Sequence, residues 1–317
     1  MSSIPLIDVA PLLNGSPKEA QAVADALGRA CREVGFFYIT GHGVPASLMA
    51  KVFEDSAALF SAPASVREPV TFSGTSGNRG YIRLGGEMLD PGKPADVKEA
   101  FNIGLELAPD DPELLARAPF RSANLWPDLP GFRNTMLDYF NRVWRLGCDL
   151  HRGFAVDLGL DRDFFQTSLD KPIATLRLLH YPPVADPLPD GQLGAGEHTD
   201  YGNVTLLATD AVGGLMVRDR SGRWLDAPVV PGAFVCNIGD CLMRWSNDVY
   251  VSTPHKVVSP PNKDRYSVAF FLDPNPDAMV ACLPTCVTPD RPAKYAPITG
   301  ADFLRSRLER TYAAKAS

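Results

Sequence analysis

The residues best suited to chemistry lie in the stretch GEHTDYGNVTLLATD, which runs from Gly196 to Asp210. In this stretch His198 and Asp200 are two residues apart, at the start of an apolar run that has the pattern of a buried strand. Strand side chains alternate between the two faces, so a strand from Glu197 to Leu206 would project both residues to the same side. A buried imidazole and carboxylate are costly without a partner, and a metal ion is one such partner.

A third ligand can be sought among the five histidines of the chain, and His255, in STPHKVV, is the best candidate. His42 lies in the turn TGHGVP, His151 lies in a long helical stretch, and His180 is out of phase with Tyr181. Two histidines and one carboxylate leave open positions on a metal ion, as in non-haem Fe(II) oxygenases. The motif alone is also compatible with residues that serve only packing.

The stretch RYSVAFFLD, which begins ten residues after His255, offers a second functional group. In a strand, Arg265, Ser267, Ala269 and Phe271 share one face. A guanidinium beside a hydroxyl can bind a carboxylate through parallel hydrogen bonds. Without the histidines, the same residues would be compatible with a surface arginine at a strand end.

The first half of the chain has mainly helical patterns. The segment SPKE, from Ser16, is a capping box with proline at the first helical position, and it predicts a helix that ends at Gly35. Phe36 to Thr40 is predicted to be a short strand, and Ala46 to Phe60 and Pro130 to Leu158 are predicted to be amphipathic helices.

After Asp170, short runs of Val, Leu, Phe and Thr are separated by Pro-Pro, Gly-Gly, Ser-Gly and Pro-Gly turns, which predicts a sandwich or a barrel. A last helix is predicted from Asp302 to Tyr312. The chain has no internal repeat and no linker that would separate domains. We therefore expect one domain over residues 1–317, with a mainly helical scaffold (1–170), a jelly-roll core with the metal site (171–280) and a C-terminal segment with a helix (281–317).

Composition excludes several classes of function. The net charge of −6 argues against a nucleic-acid partner, which would require a basic face. No segment has the roughly 18 apolar residues that span a bilayer, and the six cysteines show no CxxC pair or regular spacing. We therefore expect a cytoplasmic protein, monomeric and with reduced cysteines, that acts on a small molecule.

The ordered motifs resemble the isopenicillin N synthase-like family of Fe(II)/2-oxoglutarate-dependent dioxygenases. The similarity covers nearly the whole chain and rests on IPLIDVAPL, REVGFFYITGHGV, VKEAFNIG, LRLLHYPP, HTD, CNIGDCLMRWSND, STPHKVV and RYSVAFFLDP, in family order. It implies a fold that is mostly β with flanking helices (α+β), around a double-stranded β-helix, or jelly roll.

The resemblance also implies roles for individual residues. The implied iron ligands are His198, Asp200 and His255, and the implied contacts to the distal carboxylate of 2-oxoglutarate are Arg265, Ser267 and Tyr181. One departure is Leu179, at a position that is often asparagine in the family. His42 and Asp240 are interpreted as turn residues.

Substrate contacts are predicted in other segments. The Gly-rich stretch GNRGYIRLGGE, predicted to be a loop over the mouth of the site, supplies Arg79, Tyr81 and Arg83, although a solvated loop would explain these residues equally well. Arg177 is in phase with Tyr181 and can face inward. The apolar residues Leu206, Ala269 and Phe271 are predicted to keep the pocket dry, and Phe271 to contact the substrate. Two inward arginines would indicate an anionic substrate.

The predicted function is therefore that of an iron enzyme with 2-oxoglutarate and O2 as co-substrates. It would oxidise a C–H bond of a small molecule and release succinate and CO2. One alternative is an iron oxidase of the same fold that does not use 2-oxoglutarate, because isopenicillin N synthase and the ethylene-forming oxidase keep the arginine and serine pair. The other is a jelly-roll binding protein without catalysis.

Overall fold

The computed structural model of the protein describes residues 4–73, 77–88, 90, 93–184, 192–258 and 262–313. Its strands are β1 (Leu6–Asp8), β2 (Phe36–Thr40), β3 (Gly80–Ile82), β4 (Glu99–Gly104), β5 (Ala174–Tyr181), β6 (Ala195–His198), β7 (Val204–Thr209), β8 (Leu215–Arg218), β9 (Trp224–Asp226), β10 (Phe234–Ile238), β11 (His255–Val257), β12 (Arg265–Leu272), β13 (Met279–Val280) and β14 (Ile298–Thr299). Its α-helices are α1 (Ala10–Asn14), α2 (Pro17–Glu33), α3 (Ala46–Ser61), α4 (Ala64–Arg67), α5 (Pro112–Leu115), α6 (Phe132–Asp157), α7 (Asp240–Trp245) and α8 (Gly300–Ala313). Within these ranges, no helix has the length and apolar character needed to cross a bilayer.

Two sheets form the centre of the molecule. The larger has the strand order β1-β2-β10-β7-β12-β5-β4-β3, and the smaller has the order β6-β11-β8-β9. Side chains of both sheets meet in one buried cluster, which includes Tyr38 and Leu179 from the larger sheet and Leu215 and Val257 from the smaller. The two sheets therefore pack face to face, as predicted for a jelly roll.

Helices cover the other face of the larger sheet. The apolar stripe of α6 packs there, and the rings of Phe140 and Phe270 meet edge to face at 5.0 Å. Gly147 permits this close approach, because a methyl group at that position would lie 2.6 Å from a methyl group of Leu272. Residues of α2, α3 and α6 therefore share one hydrophobic core with β5, β7 and β12.

Several predicted elements are confirmed. The hydroxyl of Ser16 accepts the Glu19 N–H while the Glu19 carboxylate accepts the Ser16 N–H, so the capping box is formed. The strand Phe36–Thr40 has the predicted bounds. The scaffold is less helical than predicted, because β1 to β4, from the first 170 residues, join both edges of the larger sheet. The Gly-rich stretch predicted to be a loop contains one of them, β3.

Candidate metal centre

The three predicted metal ligands lie together between the two sheets. His198 is the last residue of β6 and pairs with His255, the first residue of β11. Asp200 follows in the connection to β7, and its Oδ1 is 3.8 Å from His198 Nε2 and 3.6 Å from His255 Nε2. One ligand atom from each of the three residues lies within 4.8 Å of the others. Strand pairing therefore brings His198 and His255 together, although they are 57 residues apart in the sequence.

The predicted continuous strand over the HxD motif is wrong. Strand β6 stops at His198, and β7 begins only at Val204. Between them the backbone turns toward α7, where the N–H of Asp240 donates to the carbonyl of Asp200 at 2.8 Å. This turn shifts the alternation by one residue, so Leu206 faces the helical core and Leu207, not Leu206, lines the site.

The carboxylate of Asp200 is oriented by two neighbours. Thr205 Oγ1 donates to its Oδ2 at 2.5 Å, and Asn237 Nδ2 donates to the same oxygen at 2.7 Å. Burial acts to raise the pKa of Asp200, but the two imidazoles and these hydrogen bonds together lower it. The carboxylate is therefore charged and presents one oxygen, Oδ1, to the histidines.

Both histidines use the same ring nitrogen for support. His198 Nδ1 lies 2.7 Å from the carbonyl of Gly196, and His255 Nδ1 lies 3.2 Å from the carbonyl of Thr253. A carbonyl accepts a proton-bearing nitrogen, so Nε2 of each ring is left as the ligand atom. Burial, with the neighbouring His255, lowers the pKa of His198 to about 3, so this ring is neutral at pH 7.

This donor set fits a ferrous ion. Nitrogen and carboxylate ligands lie about 2.0–2.2 Å from a first-row metal ion, so two ligand atoms of one ion are separated by about 3–4 Å. The separations of 3.6 and 3.8 Å are within that range. Two neutral imidazoles and one carboxylate leave coordination positions open and are the ligand set of non-haem Fe(II) oxygenases.

A buried ion pair supports the strand that carries His198. The carboxylate of Asp96 accepts the N–H of Gly196 at 2.9 Å and binds Lys98 Nζ at 2.5 Å. Both charged side chains are 3% exposed, and Glu87 lies 3.7 Å from the same ammonium. The pair thereby ties β4 and the segment before it to Gly196, whose carbonyl orients His198.

We expect Asp96→Asn to destabilise the fold, because it removes the main counter-charge of a buried lysine. Breaking a buried ion pair costs about 3–5 kcal/mol, and the free energy of unfolding, from urea denaturation, is expected to fall by that order. The double variant Asp96→Asn, Lys98→Met removes both charges of the pair, so its free energy of unfolding is expected to fall by less than that of the single variant. Equal losses in both variants would contradict this account.

The predicted carboxylate site is also assembled. Arg265 is 1% exposed, and its Nη1 donates to Ser267 Oγ at 3.3 Å while its Nε donates to the carbonyl of Gly213 at 2.6 Å. Its guanidinium stacks on the ring of Tyr181 at 4.6 Å. A cavity of about 70 Å³, called here the smaller cavity, extends from the metal ligands to these three side chains and includes Leu179.

A second cavity, of about 180 Å³ and called here the larger cavity, also borders the ligands His198 and Asp200. Arg79, Arg177 and Phe271 line it, as their predicted roles require. The guanidinium of Arg79 is buried against Gly104, where a methyl group would lie 1.8 Å from its Nη2. Arg177 also pairs with Glu87. His198, Asp200, Leu179 and Phe271 line both cavities.

Two predicted substrate residues lie outside both cavities. The hydroxyl of Tyr81 is held by Glu99 and Arg67, and exposed Arg83 pairs with Glu68. The structure therefore does not bring Tyr81 and Arg83 together with the other predicted site residues. Gly80, with a φ of 100°, lies between Arg79, which lines the larger cavity, and Tyr81, whose hydroxyl is held outside it.

Sequence reasoning missed several residues of the site. Thr205 and Asn237 orient Asp200, and neither has a signal in the sequence beyond its place in a strand. Asp273 lines the larger cavity, and its signal was available because it continues the alternation that includes Phe271. The other residues of this wall that sequence reasoning missed are Asn78, Phe120, Ile173, Thr175, Thr199, Tyr201, Gly202, Leu304 and Leu308. His42 is structural, as interpreted, and binds the carbonyl of Gly232 at 2.9 Å.

Two family models match the chain. Residues 4–129 match the N-terminal region described as non-haem dioxygenase in morphine synthesis, and residues 172–274 match the 2OG-Fe(II) oxygenase superfamily. The second match contains all three metal ligands and both residues of the arginine and serine pair. Together the matches cover more than half of the chain.

Individual relatives agree with these families. The chain is 35% identical over 316 residues to the 2-oxoglutarate-Fe(II) type oxidoreductase hxnY of Emericella nidulans, which covers 97% of this chain and 90% of that protein. It is 38% identical over 297 residues to a homoarginine-6-hydroxylase of Oryza sativa subsp. japonica, covering 90% of this chain and 89% of that protein.

The fold is also shared with a solved relative. A full-length Neurospora crassa protein, crystallised with alpha-ketoglutarate (2-oxoglutarate) and thymine, superposes with a TM-score of 0.87 at 34% identity, covering 98% of this chain and 97% of that chain. Enzymes of this superfamily have a jelly-roll core, so the predicted fold class is confirmed. The chain therefore belongs to the 2OG-Fe(II) oxygenase superfamily, as an Fe(II)- and 2-oxoglutarate-dependent dioxygenase.

Proposed function

We propose that this dioxygenase oxidises a C–H bond of a small, polar molecule held in the larger cavity, while 2-oxoglutarate is held in the smaller one. The observation that carries this proposal is that the two cavities share His198, Asp200, Leu179 and Phe271. Each reactant can then reach the metal centre from its own side. Phe271 lines both cavities and adds apolar surface to each.

Arg265 and Ser267 hold the distal carboxylate of 2-oxoglutarate. Arg265 lines the smaller cavity, and stacking on Tyr181 orients the plane of its guanidinium. A carboxylate can bind such a planar fork and the adjacent hydroxyl together. Leu179, where the family often has asparagine, adds only apolar surface, so the arginine and serine provide most of the recognition.

The reaction follows from placing 2-oxoglutarate and the substrate in separate cavities that share the ligands His198 and Asp200. Iron, when bound, supplies the activation of O2; 2-oxoglutarate loses CO2 to become succinate, taking up one oxygen atom, and the other enters the substrate C–H bond. The residues of the chain supply position and exclusion of water. Neutral His198 and the single free oxygen of Asp200 leave positions for both the oxo acid and O2.

The larger cavity supports a small substrate. Its volume of about 180 Å³ is below the roughly 300–1,000 Å³ of sites for drug-sized ligands. Arg79, Arg177 and Asn78 offer hydrogen-bond donors on one side, and Phe271 and Phe120 offer flat apolar surface. Two relatives, by their names, act on or bind molecules of this size: homoarginine and thymine.

The test starts with metal-free protein under anaerobic conditions, to which Fe(II) and then 2-oxoglutarate are added. We expect the weak visible charge-transfer band of a chelated 2-oxo acid, and, on admission of air, more succinate with thymine or homoarginine than without. Iron binding without the band would favour an oxidase that does not use 2-oxoglutarate. The band without stimulation by either compound would contradict the proposed substrate class.

Arg177→Gln tests the donor side of the cavity, with Arg83→Gln as its matched control outside it. Loss of a hydrogen bond to a charged group is expected to raise KM for the active compound about tenfold or more, and Arg83→Gln is expected to leave KM unchanged. Equal KM values for the two variants would show that Arg177 does not contribute to substrate binding.

We also propose that the protein is cytoplasmic and monomeric and lies in the isopenicillin N synthase-like branch of the superfamily. All six cysteines are free, as is usual in a reducing compartment. Cell fractionation tests the location, and size-exclusion chromatography with light scattering tests the oligomeric state. A dimer at micromolar concentration would overturn the second of these proposals.

A further inference from the structure

Asp273 is a buried carboxyl in the wall of the larger cavity. It follows the last residue of β12 and is 7% exposed. A methyl group at Gly202, in the turn that carries Asp200, would lie 3.0 Å from its Oδ1. In the part of the chain that the structure describes, no side-chain hydrogen bond or ion pair involves this carboxyl.

A buried carboxyl to which no protein group donates is costly unless a donor reaches it, and the carboxyl of Asp273 borders the larger cavity, from which a donor can come. Burial, reinforced by the charge of Asp200, raises the pKa of Asp273 to about 7. The two arginines that line the cavity have other partners: Arg177 pairs with Glu87, and Arg79 donates to the carbonyls of Gly77 and Asn78. The hydrogen-bond donor for Asp273 is therefore expected to come from the molecule that binds in the larger cavity.

Strand geometry gives the position of Asp273 relative to Arg177. In the pairing of β12 with β5, Ala269 is opposite Arg177 and Phe271 is opposite Thr175. Asp273, two residues after Phe271 and just beyond the end of β12, lines the same cavity as Phe271. At about 3.3 Å per residue, the backbone positions of Asp273 and Arg177 are separated by about 13 Å along the sheet, with Phe271 between them.

Resting on the proposed function, we propose that Asp273 accepts a hydrogen bond from an N–H group of the substrate, and so determines specificity. The substrate lies across Phe271, with an N–H group toward Asp273 and a carbonyl or carboxylate oxygen toward Arg177. This polarity selects amides, lactams and amino acids of small size. It disfavours hydrocarbons and simple carboxylates, which would leave the buried carboxyl without a donor.

The test uses iron-loaded, full-length protein with 2-oxoglutarate under anaerobic conditions. Thymine, homoarginine and 1,3-dimethylthymine, which lacks both ring N–H groups, are titrated separately, and the change in the visible band gives each dissociation constant. We expect thymine or homoarginine to shift the band of the wild type. Where thymine binds, the dimethyl compound is expected to bind about tenfold more weakly or worse.

Asp273→Leu is expected to weaken binding of the active N–H compound about tenfold or more while the dissociation constant for 2-oxoglutarate is unchanged. Asp273→Asn, which keeps an acceptor oxygen, is expected to retain part of the affinity even if the leucine variant folds poorly. Asp277→Asn changes an exposed carboxylate four residues away and is the matched control.

Two outcomes would overturn the inference alone: unchanged binding of the active compound to both Asp273 variants, or equal binding of thymine and its dimethyl counterpart where thymine is the active compound. No band shift with either thymine or homoarginine would overturn the proposed substrate class, and the inference with it. In each case the band itself remains. Absence of the band in the wild type would instead overturn the proposed co-substrate site. The two failures are therefore distinguishable.

Discussion

Replacing His198 by alanine is expected to abolish Fe(II) binding and succinate formation while leaving the protein folded. Loss of a residue that only orients a metal ligand costs about 10- to 100-fold in metal affinity, and loss of a ligand should exceed that. The fold should persist, because the triad without metal contributes desolvated polar groups and little packing. Asp200 keeps its bonds from Thr205 and Asn237 in the variant.

Thermal unfolding with and without Fe(II), measured without oxygen, gives a readout independent of turnover. A ligand that binds only the native state raises Tm, so the wild type is expected to be stabilised by iron and His198→Ala is not. His42→Gln is the control, because this histidine binds the carbonyl of Gly232 far from the ligands in sequence. An iron-dependent rise in Tm in His198→Ala would show that the triad is not the principal site.

Local patterns predicted those parts of the structure that local physics determines. The capping box at Ser16 formed because proline and the Ser16 and Glu19 side chains satisfy the first turn of α2 without help from the rest of the chain. The shared face of Arg265, Ser267 and Phe271 follows from the period of a regular strand, and β12 is regular throughout. The ligand residues required more than pattern, since weighing the five histidines made His255 the best candidate and the family resemblance then supported its place beside the HxD motif.

The break after His198 could not be predicted from alternation. Residues 199–203 leave the strand because their carbonyls accept N–H groups from the start of α7, which lies 40 residues further along the chain. The apolar run VTLLAT continues the strand pattern, but the turn before it reverses which residues face the metal. For this reason Leu207 faces the metal site, where alternation from His198 would have placed Leu206.

The positions of Tyr81 and Arg83 also depend on tertiary pairing. Both belong to a segment whose glycines indicate a loop, but β3 pairs with β4, and this pairing fixes which side chains face Glu99 and which face the cavity. Alternation from Phe271 is enough to indicate that Asp273 faces the cavity, but it does not show that the carboxyl is buried. The turn at Gly202 and residues of α8, which line the same cavity, come from distant parts of the sequence.

Replacing Arg265 by alanine is expected to leave Fe(II) binding intact. It is expected to raise the dissociation constant for 2-oxoglutarate by about 30-fold to several thousand-fold. Removing one partner of a buried, hydrogen-bonded charge pair costs about 2–5 kcal/mol, which gives that range of dissociation constants. The guanidinium is 1% exposed, so water cannot replace it readily. Anaerobic titration of the visible band with 2-oxoglutarate measures the change directly.

A truncated co-substrate separates recognition of the carboxylate from general damage to the pocket. 2-Oxopentanoate has a methyl group where 2-oxoglutarate has its distal carboxylate, so the wild type should strongly prefer 2-oxoglutarate, whereas Arg265→Ala should bind the two oxo acids with similar affinity. Arg265→Lys should be intermediate, because an ammonium keeps the charge but not the planar fork that stacks on Tyr181. If the alanine variant kept the full preference, the distal carboxylate would have to bind elsewhere. Because the two ligands differ at one end and the two proteins at one residue, the coupling between the changes isolates this single contact.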